Sequence, residues 1–345
     1  MPGDDIQNEA EFEAALKKAT TACPDAVVLL RVASYLAGRR IPLELFAPPA
    51  MKPDKVRLAV DALVREGLAT SDPLDSGGAG FAVTPAVQEL ARACLARAGD
   101  EDEDSTIARA MKLLTDAYPS GTKAADAKSW PQCERLGRHV QASLAFAPDT
   151  GNGASATSEL LHRFAQYLFA RGRYEEATAI VQRCGAIDEL IHGPDHELVG
   201  QGQANLAILL HELGRTQEAL PHIRRAMEIG EANLGPKHPV VAERYNVLAT
   251  LLEELRQPAQ ADPFIRHALL AAELMLGPNH PDTKAYRQNY ERIIAAVDGM
   301  ARQDDAVEAG LAPAPPERLA RHDIPPPPIS GNRGVMARLL RSKRV

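Results

Sequence analysis

The chain has 345 residues, 45% of them hydrophobic and 25% charged, enough for ordinary cores in two or three domains. Aromatics make up only 4%, with a single tryptophan, which favours helices packed through small contacts over a β-sandwich. The net charge of −7 argues against a nucleic-acid protein, whose affinity rests on neutralising phosphates.

No stretch is apolar enough to span a bilayer. The opening residues MPGDDIQNEAEFEAAL lack the basic and apolar regions of a signal peptide. Cys23, Cys94, Cys133 and Cys184 follow neither a zinc spacing nor a disulfide framework, so a cytoplasmic protein with reduced thiols is expected.

In chain order, residues 1–23 are an N-terminal segment, and 24–98 form a first module without internal repeats. Ala26–Ala37 reads as an apolar helix, and Ile41–Phe46 as a short second one after Gly38. Pro53–Glu66 reads as a third, with Val56, Ala59, Val60 and Leu63 on one face. Leu68–Ser71 and Phe81–Thr84 suit two short strands around DPLDSGGAG, and Pro85–Arg97 a closing helix. The run Asp100–Asp104 is either a charged helix start or a flexible joint. Residues 99–147 hold a degenerate helical pair: one helix with Ala108, Met111, Leu114 and Tyr118, the other beginning at Trp130-Pro131. APDTGNGASAT then reads as a linker.

Residues 157–297 repeat. Gly193-Pro194-Asp195-His196 recurs as Gly235-Pro236-Lys237-His238 and as Gly277-Pro278-Asn279-His280, 42 residues apart each time. Ala165, Ala207 and Ala249 share that register, as do Leu168, Leu210 and Leu252, and Ala177, Ala219 and Ala261. A fixed period of this size marks stacked supersecondary units. Each unit reads as two helices. In the middle one, helix A runs from Glu197 to Leu213 and helix B from Thr216 to Asn233. Gly214 ends the first, and Gly235 and Pro236 end the second. Residues 281–297 supply a helix A alone, a cap. After 298 the proline-rich sequence predicts a disordered tail, 298–345. Pro325–Pro328 favour polyproline II, and Arg333, Arg338, Arg341, Lys343 and Arg344 suit a weak contact with an anionic surface.

The run from Asn205 to Ala226, NLAILLHELGRTQEALPHIRRA, resembles the tetratricopeptide repeat (TPR) in its 42-residue, kinesin-light-chain-like form. The third copy departs, with Arg256 at the glycine position and Pro258 early in helix B. The resemblance implies a mostly α fold, a TPR α-solenoid following the first module. The segments LLRVASYLAGRRIPLELF and ALVREGLATSD…GFAVTPAVQELARACL resemble the winged-helix module of bacterial NB-ARC signal-transduction ATPases with numerous domains (STAND). The run Trp130–His139 resembles the segment that follows it there. The departure is the phosphate-binding loop: Gly121-Thr122-Lys123 lacks the upstream glycine and the preceding strand. The chain therefore looks like the sensor half of such a protein without its motor.

The Asp54–Glu66 helix balances Lys55, Arg57 and Arg65 against Asp54, Asp61 and Glu66, a poor footprint for DNA. His192 and His196 have chelating spacing, but Gly193-Pro194 breaks the helix between them, and His196, His238 and His280 recur as loop or cap residues. No catalytic set stands out, and neither an enzyme nor a cofactor is expected. The best reading is a non-catalytic scaffold for a protein or peptide partner, including a separate ATPase subunit. The alternative is a winged-helix transcription regulator with a TPR sensor.

The resemblance also implies a groove lined by the A helices. Its positions hold His162 and Gln166, then Gln201, Ile208 and His211, then Glu243, Asn246, Thr250 and Glu253, and lastly Gln288 and Arg292. These residues lie off the leucine-alanine stripe and are expected to face the partner, with Asn246 the central contact flanked by Gln201 and Gln288. The paired asparagines of the family are incomplete, since Ala204 stands one repeat before Asn246.

Overall fold

A computed structural model describes residues 6, 8–46, 51–75, 77–98, 100–120, 123 and 126–308. It is mostly helical and divides into two compact units, residues 1–170 with 186–191 and residues 171–185 with 192–345.

The first unit opens with a helix inside the N-terminal segment, α1 (Glu9–Ala22). Asn8 caps it, its side chain accepting from the Glu11 N–H at 3.0 Å, and Phe12 anchors it in the core. Helix α2 (Asp25–Ala33) buries Leu29, Leu30 and Val32. The expected Ile41–Phe46 helix is shorter and tighter: Ile41–Pro42 forms strand β1, and Leu43–Phe46 is a 3-10 helix. Proline has no N–H to donate, so Pro42 sits on an edge strand, which pairs Ile41 with Phe81. Helix α3 (Pro53–Arg65) precedes a hairpin of β2 (Thr70–Ser71) and β3 (Gly80–Ala82), giving an antiparallel sheet of order β1-β3-β2. Arg40 takes a positive φ of 53° to enter β1, and Asp72 accepts its N–H at 3.1 Å. Helix α4 (Pro85–Ala98) closes the module.

Helix α5 (Asp100–Ala117) starts on the acidic run, which therefore forms its first turn. Helix α6 (Trp130–Ser143) has Pro131 in its first turn, where a missing N–H costs nothing. His139 is fully buried, with Nε2 3.2 Å from the Arg40 carbonyl oxygen, and burial lowers its pKa to about 4. Ser143 donates to the Tyr35 carbonyl at 2.7 Å. The expected linker is shorter than the sequence suggested, because α7 (Ala154–Ala170) begins within it and buries Ala154.

Helix α8 (Tyr174–His192) is followed by the helix pairs of the second unit: α9 (Glu197–Glu212) with α10 (Thr216–Leu234), α11 (Pro239–Glu254) with α12 (Pro258–Met275), and α13 (Pro281–Glu308). The recurring histidines are caps. Nδ1 of His196, His238 and His280 accepts from the N–H two residues on, at 3.2, 3.3 and 3.2 Å. Gly172, Gly214 and Arg256 turn helix A into helix B with φ of 72°, 74° and 60°. Asp298, next in that register, lies inside α13, which continues to Glu308 instead of stopping at 297. The sequence beyond it carries no apolar helix-B stripe whose burial would favour a turn. The remainder of the expected tail, 309–345, lies outside the described residues.

One buried cation locks the second unit. Arg244 on α11 is 0% exposed. Its guanidinium reaches Glu197 at the start of α9, with Nη1 3.2 Å from Oε2, and Nη1 donates to the Ala226 carbonyl of α10 at 2.8 Å. Room for it comes from missing side chains: a Cβ at Gly230 would lie 2.3 Å from Nη1, and one at Gly200 3.3 Å from it.

Candidate partner-binding face

The positions expected to line a groove fall in both units. In the first, His162 is buried, and its Nε2 lies 2.9 Å from Asp188 Oδ2; Asp188 also accepts the Ser158 hydroxyl. Gln166 is buried one turn further along α7.

In the second unit, the A helices α9, α11 and α13 bring the remaining positions together, but not as a row of free polar groups. Gln201, Ile208, His211, Glu243, Asn246 and Thr250 are all buried, Asn246 to 1% exposure. This corrects the expectation that they lie off the core. A helix flanked on both sides by neighbours of its own kind buries more than its apolar stripe, and the extra polar positions then need partners.

Those partners come from the next helix. Asn246 Oδ1 accepts Asn289 Nδ2 at 2.8 Å, and Asn289 Oδ1 accepts Arg292 Nη1 at 3.2 Å. Arg292 holds Glu253 with both arms, Nε to Oε1 at 2.7 Å and Nη2 to Oε2 at 2.6 Å, a fork that raises the guanidinium pKa. Thr250 turns its hydroxyl back to the Asn246 carbonyl at 2.9 Å. His211 Nδ1 lies 3.2 Å from Glu254 Oε2, and His211 Nε2 is buried without a hydrogen-bond partner. Burial pushes the Glu254 carboxyl up; His211 and Arg292 pull it down, and Glu253 and Glu212 push it further up. Gln288 and Arg292 are exposed and Glu253 half-buried, so the accessible part of the face is the α13 pair and the ends of α9 and α11.

Sequence reasoning missed Asn289 and Glu254. Asn289 is in register with Asn205, not with Asn246, so a strict 42-residue step pointed to Gln288 instead. Arg244 was missed as well, because a lone arginine in an apolar helix gives no sign of its partner 47 residues earlier. The helix break expected to keep His192 and His196 from chelating leaves their side chains in contact. Their rings stack at 4.5 Å and 19°, so their in-plane lone pairs run side by side instead of converging.

The tetratricopeptide-repeat family model matches residues 156–232 and again 201–273. No curated protein sequence matches significantly. Among solved structures, the chain is similar to the nearly identical TPR-like repeats attributed to a kinesin light chain of Podosopora anserina, at 18% identity and TM-score 0.43, over 58% of this chain and 91% of that one. It is similar to BtubC (BKLC) from P. vanneervenii at 19% identity and TM-score 0.42, over 69% and 94%. The apo form of RapI gives 16% identity and TM-score 0.40, over 65% and 81%. By the family match and by the 42-residue register of its helix pairs, residues 156–273 are tetratricopeptide repeats.

Proposed function

We propose that the chain is a non-catalytic scaffold whose A-helix face in the second unit holds a protein or peptide partner. The observation that supports this most is the polar ladder across α11 and α13. Its inner rung joins the buried Asn246 to the half-buried Asn289, while Gln288, Arg292 and Glu254 are exposed and Glu253 is half-buried. Amide and guanidinium groups one helical turn apart can hydrogen-bond an extended backbone, and a pre-ordered inner layer lowers the entropic cost of binding. Asn246 then supports the contact through Asn289 instead of making it.

The test is a peptide-display selection on the full chain, followed by Gln288→Ala and Arg292→Ala. Loss of about tenfold in affinity in either variant, with an unchanged circular dichroism spectrum, supports this face. Selected peptides that bind both variants as tightly as the parent overturn it.

The first module is read as winged-helix-like, on its helix–strand–helix–hairpin order and its β1-β3-β2 sheet. Three of its basic groups lie against acids, Lys55 with Asp25 at 3.6 Å, Arg39 with Asp72 at 3.8 Å and Arg40 with Asp75, and residues 54–66 balance three bases with three acids. That favours a protein contact over DNA, including one with a separate ATPase subunit of a STAND-type system. Co-purification of the full chain with such a subunit, lost on Leu58→Asp at the 60%-exposed apolar residue of α3, tests it. No helix among the described residues is long and apolar enough to cross a membrane.

A further inference from the structure

The accessible end of the A-helix face is acidic beyond what its neighbours balance. Helix α9 ends at Glu212 and α11 at Glu253-Glu254, so three carboxylates stand where the helix dipoles already place negative charge. Against them the face offers Arg292, which is committed to Glu253, and His211. His211 is 9% exposed; its Nδ1 lies 3.2 Å from Glu254 Oε2, and its Nε2 has no hydrogen-bond partner. Arg215, just past α9, is forked to Glu218, which leaves the exposed Arg256, among the described residues, as the one uncommitted cation following these helix ends, against Glu212 and Glu254.

This chain holds further cations in a segment that follows α13. Residues 331–345 contain Arg333, Arg338, Arg341, Lys343 and Arg344 and no acid. The path is short enough. Arg292 and Glu308 are on the same helix, about sixteen residues or 24 Å apart. The roughly 25 residues from there to Arg333 include seven prolines, and at about 3.1 Å per residue their extended reach of roughly 78 Å exceeds that distance. A tether long enough to reach the site raises the effective concentration of its end there, so a contact too weak to form between separate molecules is still populated.

We propose that the basic segment 331–345 occupies the acidic end of the A-helix face in the same molecule, as an internal competitor of the external partner. This rests on the reading of that face as a binding surface. It adds that an external ligand must displace the segment and carries basic residues of its own.

The test is zero-length carbodiimide cross-linking of the full chain, mixed in equal parts as light and ¹⁵N-labelled protein at low ionic strength. Lys343 is the only lysine beyond Lys284, so its cross-links report the segment alone. The expected result is linkage of Lys343 to Glu212, Glu253 or Glu254 within one isotope, reduced at least about fivefold in 0.5 M salt. The links should also fall in the Arg338→Ser/Arg341→Ser/Arg344→Ser variant. A fluorescent peptide of residues 331–345 should bind that variant about tenfold more tightly than the parent, whose site is filled. Links between isotopes, links from Lys343 only to the Asp100–Asp104 run, or no Lys343 link while the Lys112–Asp116 control forms would each overturn the proposal. So would equal binding of the peptide to parent and variant. If any of these occurs while display-selected peptides still depend on Gln288 and Arg292, the binding face stands and only its internal occupant falls.

Discussion

Replacing Gly230 with alanine should destabilise the repeat unit, although helix propensity alone predicts the opposite. In an exposed helix interior, glycine to alanine gains up to about 1 kcal/mol. At this site the new methyl would lie 2.3 Å from Arg244 Nη1, far inside contact distance. The guanidinium is fully buried and already engaged by Glu197 and the Ala226 carbonyl, so it cannot move without disturbing those contacts. It must give up its 2.8 Å bond to the Ala226 carbonyl, a charge-assisted bond of about 1.5–3 kcal/mol, and tilt against Glu197. After the propensity gain is subtracted, the net loss is about 2 kcal/mol. Thermal unfolding of the full chain by circular dichroism should shift down by roughly 4–8 °C, with faster hydrogen exchange across 226–244. The decisive comparison is with Arg244→Met, which removes the charge and keeps most of the volume. In that background Gly230→Ala should change sign and stabilise by a few tenths to 1 kcal/mol. If Gly230→Ala stabilises the parent, or destabilises equally in both backgrounds, the glycine does not serve the arginine and the packing account is wrong.

Glu197→Ala should be worse than Arg244→Met, by about 3 kcal/mol in urea denaturation, because it leaves a fully buried guanidinium without its counter-charge. His238→Ala, which removes the Nδ1 acceptor at the start of α11, should cost about 1 kcal/mol and speed amide exchange at Val240 first. His139 has a folded pKa lowered to about 4 from an ordinary 6.5, so the unfolded chain binds its proton first. Its contribution is complete above pH 6.5 and is lost as pH falls toward 4, about 3 kcal/mol in all, and His139→Gln should flatten that slope in pH-dependent denaturation. Asn289→Ala should cost about 1–2 kcal/mol by leaving Asn246 Oδ1 unpaired, whereas Gln288→Ala should leave stability within about 0.5 kcal/mol while weakening a bound peptide.

The helix boundaries of the repeats were legible because their signals are local. Gly214 can take a positive φ, Pro239 fits a first helical turn, and a histidine before it can reach back to an N–H two residues away; each needs only its own few residues. The 42-residue period located the pairs, and the apolar columns at 165, 168 and 177 identified the core stripe for the same reason. The sequence was a weaker guide where one segment answers to another far along the chain. Ile41–Phe46 has helix-compatible residues, yet only Leu43–Phe46 turns into a 3-10 helix, because Ile41 and Pro42 pair with Phe81 and Gly80 as a strand. Asp298 stands where the other repeats turn, yet α13 runs on, since turning is favourable only when a following helix has a face to bury. The polar groove positions share this dependence. Their register could be counted, but burial is set by how close α9, α11 and α13 lie, and only tertiary packing turned Asn246 from a free contact into the inner rung held by Asn289.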